Sequence, residues 1–209
     1  MGRGEENHKV TLLLQYFTFG FICAIYRIPL DKTTVLTYMS IEEIIRFRCG
    51  DGTLYPINPS VSSDPIIRGL YVSADIHDHL IGQESLEVPW GLARSIMDTF
   101  VSGKLISVAR GRNNRKHTFM GHLDPQTDGM WTMKPSKPSP GIRIFGQFAK
   151  RDLFIALDWE DRLYLEDYNS RLWKRAIRNC KQKWATLFNP YTPVTEDNSH
   201  AYLSNIILV

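Results

Sequence analysis

Cysteine is scarce in this chain: Cys23, Cys49 and Cys180 lie far apart, are odd in number and form no Cys-x-x-Cys pair. That pattern argues against a disulfide framework or a structural zinc site of the usual spacing, and it fits a reducing, cytoplasmic setting. Gly-x-Gly-x-x-Gly, the phosphate-loop pattern, Gly-x-Ser-x-Gly and His-Glu-x-x-His are all absent, so no nucleotide cradle, nucleophile elbow or zincin helix is written in the sequence. Glycine (14) and proline (11) are too few for a collagen-like or low-complexity polymer, and no internal repeat occurs. The longest uncharged run, Val10 to Tyr26, is diluted by Thr11, Gln15, Thr18 and Gly20, and a spanning helix needs ~20 apolar residues. The stretch from Phe19 to Pro29 reads as a buried first strand, with an anchor or export signal over Val10 to Tyr26 as the alternative, so a membrane partner is not expected.

What is present is an ordinary globular composition: 209 residues, 43% hydrophobic and 22% charged, enough for one well-packed domain. Residues 1–24 form an N-terminal extension or first strand, and residues 25–209 a single domain. Ser40-Ile-Glu-Glu43 is a capping box opening a short helix whose apolar face is Ile41, Ile44 and Ile45, with Gly50 placed as its left-handed end. Leu92, Ala93, Ile96, Met97, Phe100 and Val101 keep the three-four spacing of a core-facing helix closed by Gly103. Met130 to Met133, Ile142 to Phe148 and Leu153 to Leu157 read as strands, the middle one half-buried because apolar and polar residues alternate along it. A last helix, capped at Asn169 or Ser170 and stopped by Pro190, carries the apolar face Trp173, Ala176, Ile177, Cys180, Trp184, Leu187 and Phe188. The fold class expected is α+β, a mostly antiparallel sheet packed by several helices and ending in a long basic amphipathic helix.

The formal net charge of +3 conceals an asymmetry. Residues 1–103 carry a net charge of −4, whereas residues 104–183 carry 17 Lys and Arg against 8 Asp and Glu. Arg110, Arg112, Arg115 and Lys116 crowd one turn, and Arg171, Lys174, Arg175 and Arg178 recur at three- and four-residue steps along one helix stripe. Like charges on one stripe repel, and a polyanion relieves that repulsion. These eight side chains are therefore the candidate phosphate contacts, with RNA the favoured partner and Trp131 or Trp159 available for base stacking. An acidic protein partner for the same helix is the non-catalytic alternative, unless the Asp158–Asp167 acids fold back and neutralise it.

A second candidate site is Asp75-Ile-His-Asp-His79, with His117, His122 and Asp124 as further ligands of a metal-dependent hydrolase. It requires a strand, because His77 and His79 diverge by about 200° on a helix.

The run Met130-Trp-Thr-Met-Lys134, then Gly141-Ile-Arg-Ile-Phe-Gly-Gln-Phe148, then Leu153-Phe-Ile-Ala-Leu157 and Arg162 resembles the sheet of RelE/HigB-type mRNA interferase toxins, with Ile142 where those proteins carry tyrosine. The resemblance spans about 35 residues. It implies a ribosome-associated RNA endonuclease that needs no cofactor or metal, with Lys134, Arg143 and Arg162 as its phosphate-stabilising and acid/base residues.

Overall fold

The computed structural model describes residues 39–82, 88–109, 118–135, 141–165 and 170–209, and residues 39–209 form one compact unit. The expectations for residues 1–29 lie outside the described residues. Helix α1 (Ile41–Gly50) begins as its capping box requires: the Ser40 Oγ accepts from the Glu43 amide at 3.2 Å and the Glu43 carboxylate accepts from the Ser40 amide at 2.6 Å. Its exit differs from expectation, since Gly50 stays helical and the left-handed residue is Gly52, at φ 75°.

Strands β1 (Leu54–Pro56) and β2 (Gly69–Ser73) lead straight into α2 (Ala74–Ile81), followed by α3 (Val88–Val101). Next come β3 (Ile106–Ala109), β4 (Met120–His122), β5 (Met130–Met133), β6 (Ile142–Lys150) and β7 (Leu153–Asp161). Helix α4 (Arg171–Phe188) and β8 (Ile206–Leu208) complete the unit. The described strands form one eight-stranded sheet in the order β1-β2-β7-β6-β5-β4-β3-β8. The class is α+β, but the sheet is mixed rather than mostly antiparallel. Hairpins join β4 through β7 in antiparallel register, whereas β2 runs parallel to β7, and β3 runs parallel to both β4 and β8. Local turn signals reveal hairpins; β7 beside β2 and β8 beside β3 enter from distant parts of the chain and leave no local mark.

Helices cover both faces. On one side α2 and α3 bury Ile76, Trp90, Ala93, Met97 and Phe100 against Val72, Met120, Trp131, Ile144 and Phe154. On the other, α1 and α4 bury Ile45, Trp173, Ala176, Cys180, Trp184 and Phe188 against Phe145, Ile155 and Leu157. Strand β6 is therefore covered on both faces, not half-buried. Phe145 is inaccessible, and Gln147 is buried with its Nε2 donating to the Asp128 carbonyl at 3.0 Å. Among the described residues, no helix is long and apolar enough to cross a membrane.

Two features of the β6–β7 pair decide which side chains face α4. Phe145 faces Asp158 while Gly146 faces Ala156, so Leu157 is an extra residue, a bulge. Beyond it the alternation of faces is inverted. Trp159 turns to the α2–α3 side, and Asp158 and Glu160 turn to the α4 side. Gly146 leaves no room for a side chain, because a Cβ there would fall inside contact distance of the Ile155 carbonyl oxygen and the Phe154 ring. Gly146→Ala is expected to lower stability by about 1–3 kcal/mol, read as a shift of the urea unfolding midpoint.

Candidate nucleic-acid interface

Helix α4 owes its position to an apolar stripe and a firm start. The Ser170 Oγ accepts from the Trp173 amide at 3.1 Å and donates to the Leu165 carbonyl at 2.7 Å. Trp173 then packs edge-on against Phe145, ring centroids 5.5 Å apart. With that stripe buried, the opposite side of the helix must face solvent, and Arg171, Lys174, Arg175 and Arg178 are all exposed.

Of the Asp158–Asp167 acids, those among the described residues, Asp158, Glu160 and Asp161, neutralise only part of this surface. Glu160 takes Arg175 at 3.6 Å and Asp158 takes Lys183 at 2.7 Å, while Lys181 pairs with Asp128 at 3.0 Å. Arg171, Lys174 and Arg178 have no carboxylate within ion-pair distance among the described residues.

At the start of α4 the sheet adds further cations. Arg143 on β6 lies two residues from Phe145 on the same, α4-facing side, and Arg162 follows β7 with its amide bonded to the Gly141 carbonyl at 2.9 Å. Burial, and then the neighbouring Arg162 guanidinium, push the pKa of Arg143 down to about 10. Its Nη1 donates to the Ile142 carbonyl at 2.8 Å. Glu160, its cross-strand partner in register, pairs with Arg175 instead. Lys134 follows Met133, whose register partner is Ile144, so it stands beside Arg143 across the β5–β6 pair. Lys134 is buried, with its Nζ donating to the Thr118 Oγ1 at 2.6 Å. Lys134, Arg143 and Arg162 are thus brought to one end of one face. Arg110, Arg112, Arg115 and Lys116 lie outside the described residues.

The expected stacking residues are placed differently. Trp131 is fully buried, stacked on His122 at 4.5 Å, because β5 is covered on both faces. Trp159 is half-buried: its Nε1 donates to the Asp75 Oδ2 at 2.9 Å, and its ring meets Trp90 and His79 edge-on. Near these cations the exposed aromatic among the described residues is Tyr164, 68% exposed and two residues beyond Arg162. An exposed tyrosine in a turn carries no periodicity, so sequence reasoning passed over it.

Among the described residues, His77 and His79 do not converge on one point. His77 and His79 lie on α2, a helix rather than the strand that convergence requires. His77 stacks on Tyr55 at 3.8 Å, and His79 packs against Trp90 and Trp159. His122 is committed to the Trp131 stack, Asp124 lies in the β4–β5 connection, and His117 is outside the described residues. Among the described residues no group of three or more His, Cys, Asp or Glu is placed to hold a metal ion. Burial pushes the thiols of both Cys49 and Cys180 upward, which leaves them poor nucleophiles.

A cleft of about 460 Å³ also went unseen in the sequence; it lies between α4 and the β2–α2 junction, floored by Leu157. It exists because β2 pairs in parallel with β7, the feature that local pattern does not show.

Comparison with protein-family models, with curated proteins and with solved structures finds no match to this chain.

Proposed function

We propose that this protein binds RNA through its phosphate backbone, along the exposed stripe of α4 and at the Arg143–Arg162 pair beside the start of that helix. The observation that carries the reading is Arg143. Two guanidiniums crowd together where one is largely removed from water, and no carboxylate lies within ion-pair distance of Arg143 among the described residues. Like charges held together in a low-dielectric setting cost free energy, and a phosphate is a group that repays it with bidentate contacts. Arg171, Lys174 and Arg178 extend the surface, and Tyr164 offers a face for a base. RNA is preferred over DNA on the resemblance of residues 130–162 to RNA-cutting toxins.

The test is fluorescence anisotropy with a 12-nucleotide single-stranded RNA, run with the Arg143→Met variant. Methionine keeps the apolar stem and removes the charge, and replacing an unpaired buried charge by a well-packed apolar group is neutral or stabilising. The expected result is an unchanged or higher melting temperature with RNA affinity reduced about 10- to 100-fold, the size of one charge-assisted phosphate contact. A variant that melts lower and binds normally would make Arg143 a structural residue and end the proposal. Cut RNA in the same samples, with no metal added, would extend the reading to the toxin-like ribonuclease with Lys134, Arg143 and Arg162 at its centre. Binding to an acidic protein in place of RNA would assign the α4 stripe to the non-catalytic alternative.

A further inference from the structure

The cleft beside α4 is where the sheet opens. Val72 opposite Ala156 is the last rung between β2 and β7. The next residue of β2, Ser73, starts α2, and the next residue of β7, Leu157, is the bulge. Crevices beyond the carboxyl ends of parallel strands are the usual ligand positions of such sheets. A volume of about 460 Å³ falls within the range of small-molecule sites, roughly 300–1,000 Å³.

We propose that this cleft receives one unpaired base of a single-stranded RNA whose phosphates lie on the α4 stripe. The inference rests on the RNA-binding reading and names the form of RNA that the site selects. Three observations lead to it.

The first is unused hydrogen-bonding capacity. The Ser73 Oγ is buried without a partner and does not cap α2. The carboxamides of Asn179 and Gln182, one turn apart on the cleft wall, are exposed and make no hydrogen bond to protein among the described residues, so a ligand needs to displace only water from them. Carboxamides carry both donors and acceptors, which suits the mixed edge of a nucleobase.

The second is charge. Asp75 is on the wall, and Lys183, the cation lining the cleft, is held by Asp158 and by the Leu157 carbonyl at 3.0 Å. With Lys183 neutralised by Asp158, the Asp75 carboxylate on the wall disfavours a phosphate, whereas an uncharged flat ring resting on Leu157 and Leu187 meets no such penalty.

The third is continuity. Gln182 stands one turn beyond Arg178 on the same line of α4, so the cleft opens beside the end of the basic stripe. From Arg171 to Gln182 the helix rises about 16 Å, a length that a few extended nucleotides span.

The experiment compares the 12-nucleotide single strand with its RNA duplex, by anisotropy at low salt, on the wild-type chain and on the double variant Asn179→Leu, Gln182→Leu. Both positions are exposed on the helix, and leucine is a good helix former. Wild type is expected to prefer the single strand by at least about tenfold. The double variant is expected to lose about tenfold for the single strand and nothing for the duplex, in line with the loss of one base contact. As a variant-free measurement, 4-thiouridine placed in the single strand should crosslink to residues within 179–187. Equal affinity for single strand and duplex, an unaffected double variant, or crosslinks confined elsewhere would each overturn the cleft assignment and leave phosphate binding standing. Failure of both RNAs to bind at low salt would remove the RNA reading and this inference with it.

Discussion

Arg68→Ala is expected to cost about 3–5 kcal/mol of stability, the range for removing one member of a buried charged cluster. Arg68 is wholly inaccessible and sits where β2 begins. Its Nη1 donates to the carbonyls of Phe100 and Lys104 at 3.3 and 3.1 Å, and its Nη2 to those of Ser204 and Asn205 at 2.6 and 3.2 Å. Its Nε lies 3.4 Å from the Asp152 carboxylate, which also accepts from the Ser204 amide at 2.8 Å. One guanidinium therefore ties the end of α3, the β6–β7 turn and the segment leading to β8. Burial lowers the pKa of Arg68 while Asp152 opposes that change, and because a guanidinium stays charged, its partners must offset the cost of burying it. Alanine would leave four carbonyls and a carboxylate facing a void. The thermal midpoint is expected to fall by roughly 10 °C, at the 2–4 °C per kcal/mol usual for a domain of this size. Asp152→Asn, which keeps an acceptor and tolerates the left-handed φ of 61°, should cost clearly less, about 1–2 kcal/mol. A loss below about 1 kcal/mol for Arg68→Ala would mean that the segment before β8 is held by other contacts.

The same residue shows how far the sequence could be read. Patterns with a period were legible. The capping box at Ser40, the three-four spacing of α3, the α4 stripe and the β6–β7 hairpin are local, because each is fixed by neighbours within a few residues. What escaped is non-local. Arg68 in the sequence is a lone arginine after two isoleucines, and its partners stand more than 30, 80 and 130 positions away. The mixed sheet follows from β2 entering beside β7 and β3 beside β4 and β8, and the cleft from the first of these pairings, none of which a local signal marks. The Leu157 bulge is equally silent, yet it decides that Asp158 and Glu160 face α4 and that Trp159 does not. For the candidate interface, the α4 stripe could be read from helical spacing. The meeting of Lys134, Arg143 and Arg162 came only from the resemblance of residues 130–162, and the exposure of Tyr164 came from neither.

Removing together the three cations of α4 that have no carboxylate partner among the described residues, as Arg171→Gln, Lys174→Gln, Arg178→Gln, is expected to separate binding from folding most sharply. Each phosphate contact on a single strand contributes about −0.7 to the slope of log affinity against log salt. Four contacts, from these three residues and Arg143, predict a slope near −2.8, about a 50-fold loss of affinity between 50 and 200 mM salt. The triple variant retains about one contact, so its slope should shrink toward −0.7 and its affinity at 50 mM salt should drop by roughly one to two orders of magnitude. Folding should not suffer. Arg171, Lys174 and Arg178 touch no carboxylate among the described residues, all three are exposed, and neutralising like charges on one stripe removes repulsion. The melting temperature is therefore expected to hold or rise slightly. Arg175→Gln is the internal control: Glu160 already occupies that guanidinium, so its effect on the slope should be smaller than that of Arg178→Gln. A triple variant with the wild-type slope would show that phosphates do not follow this helix.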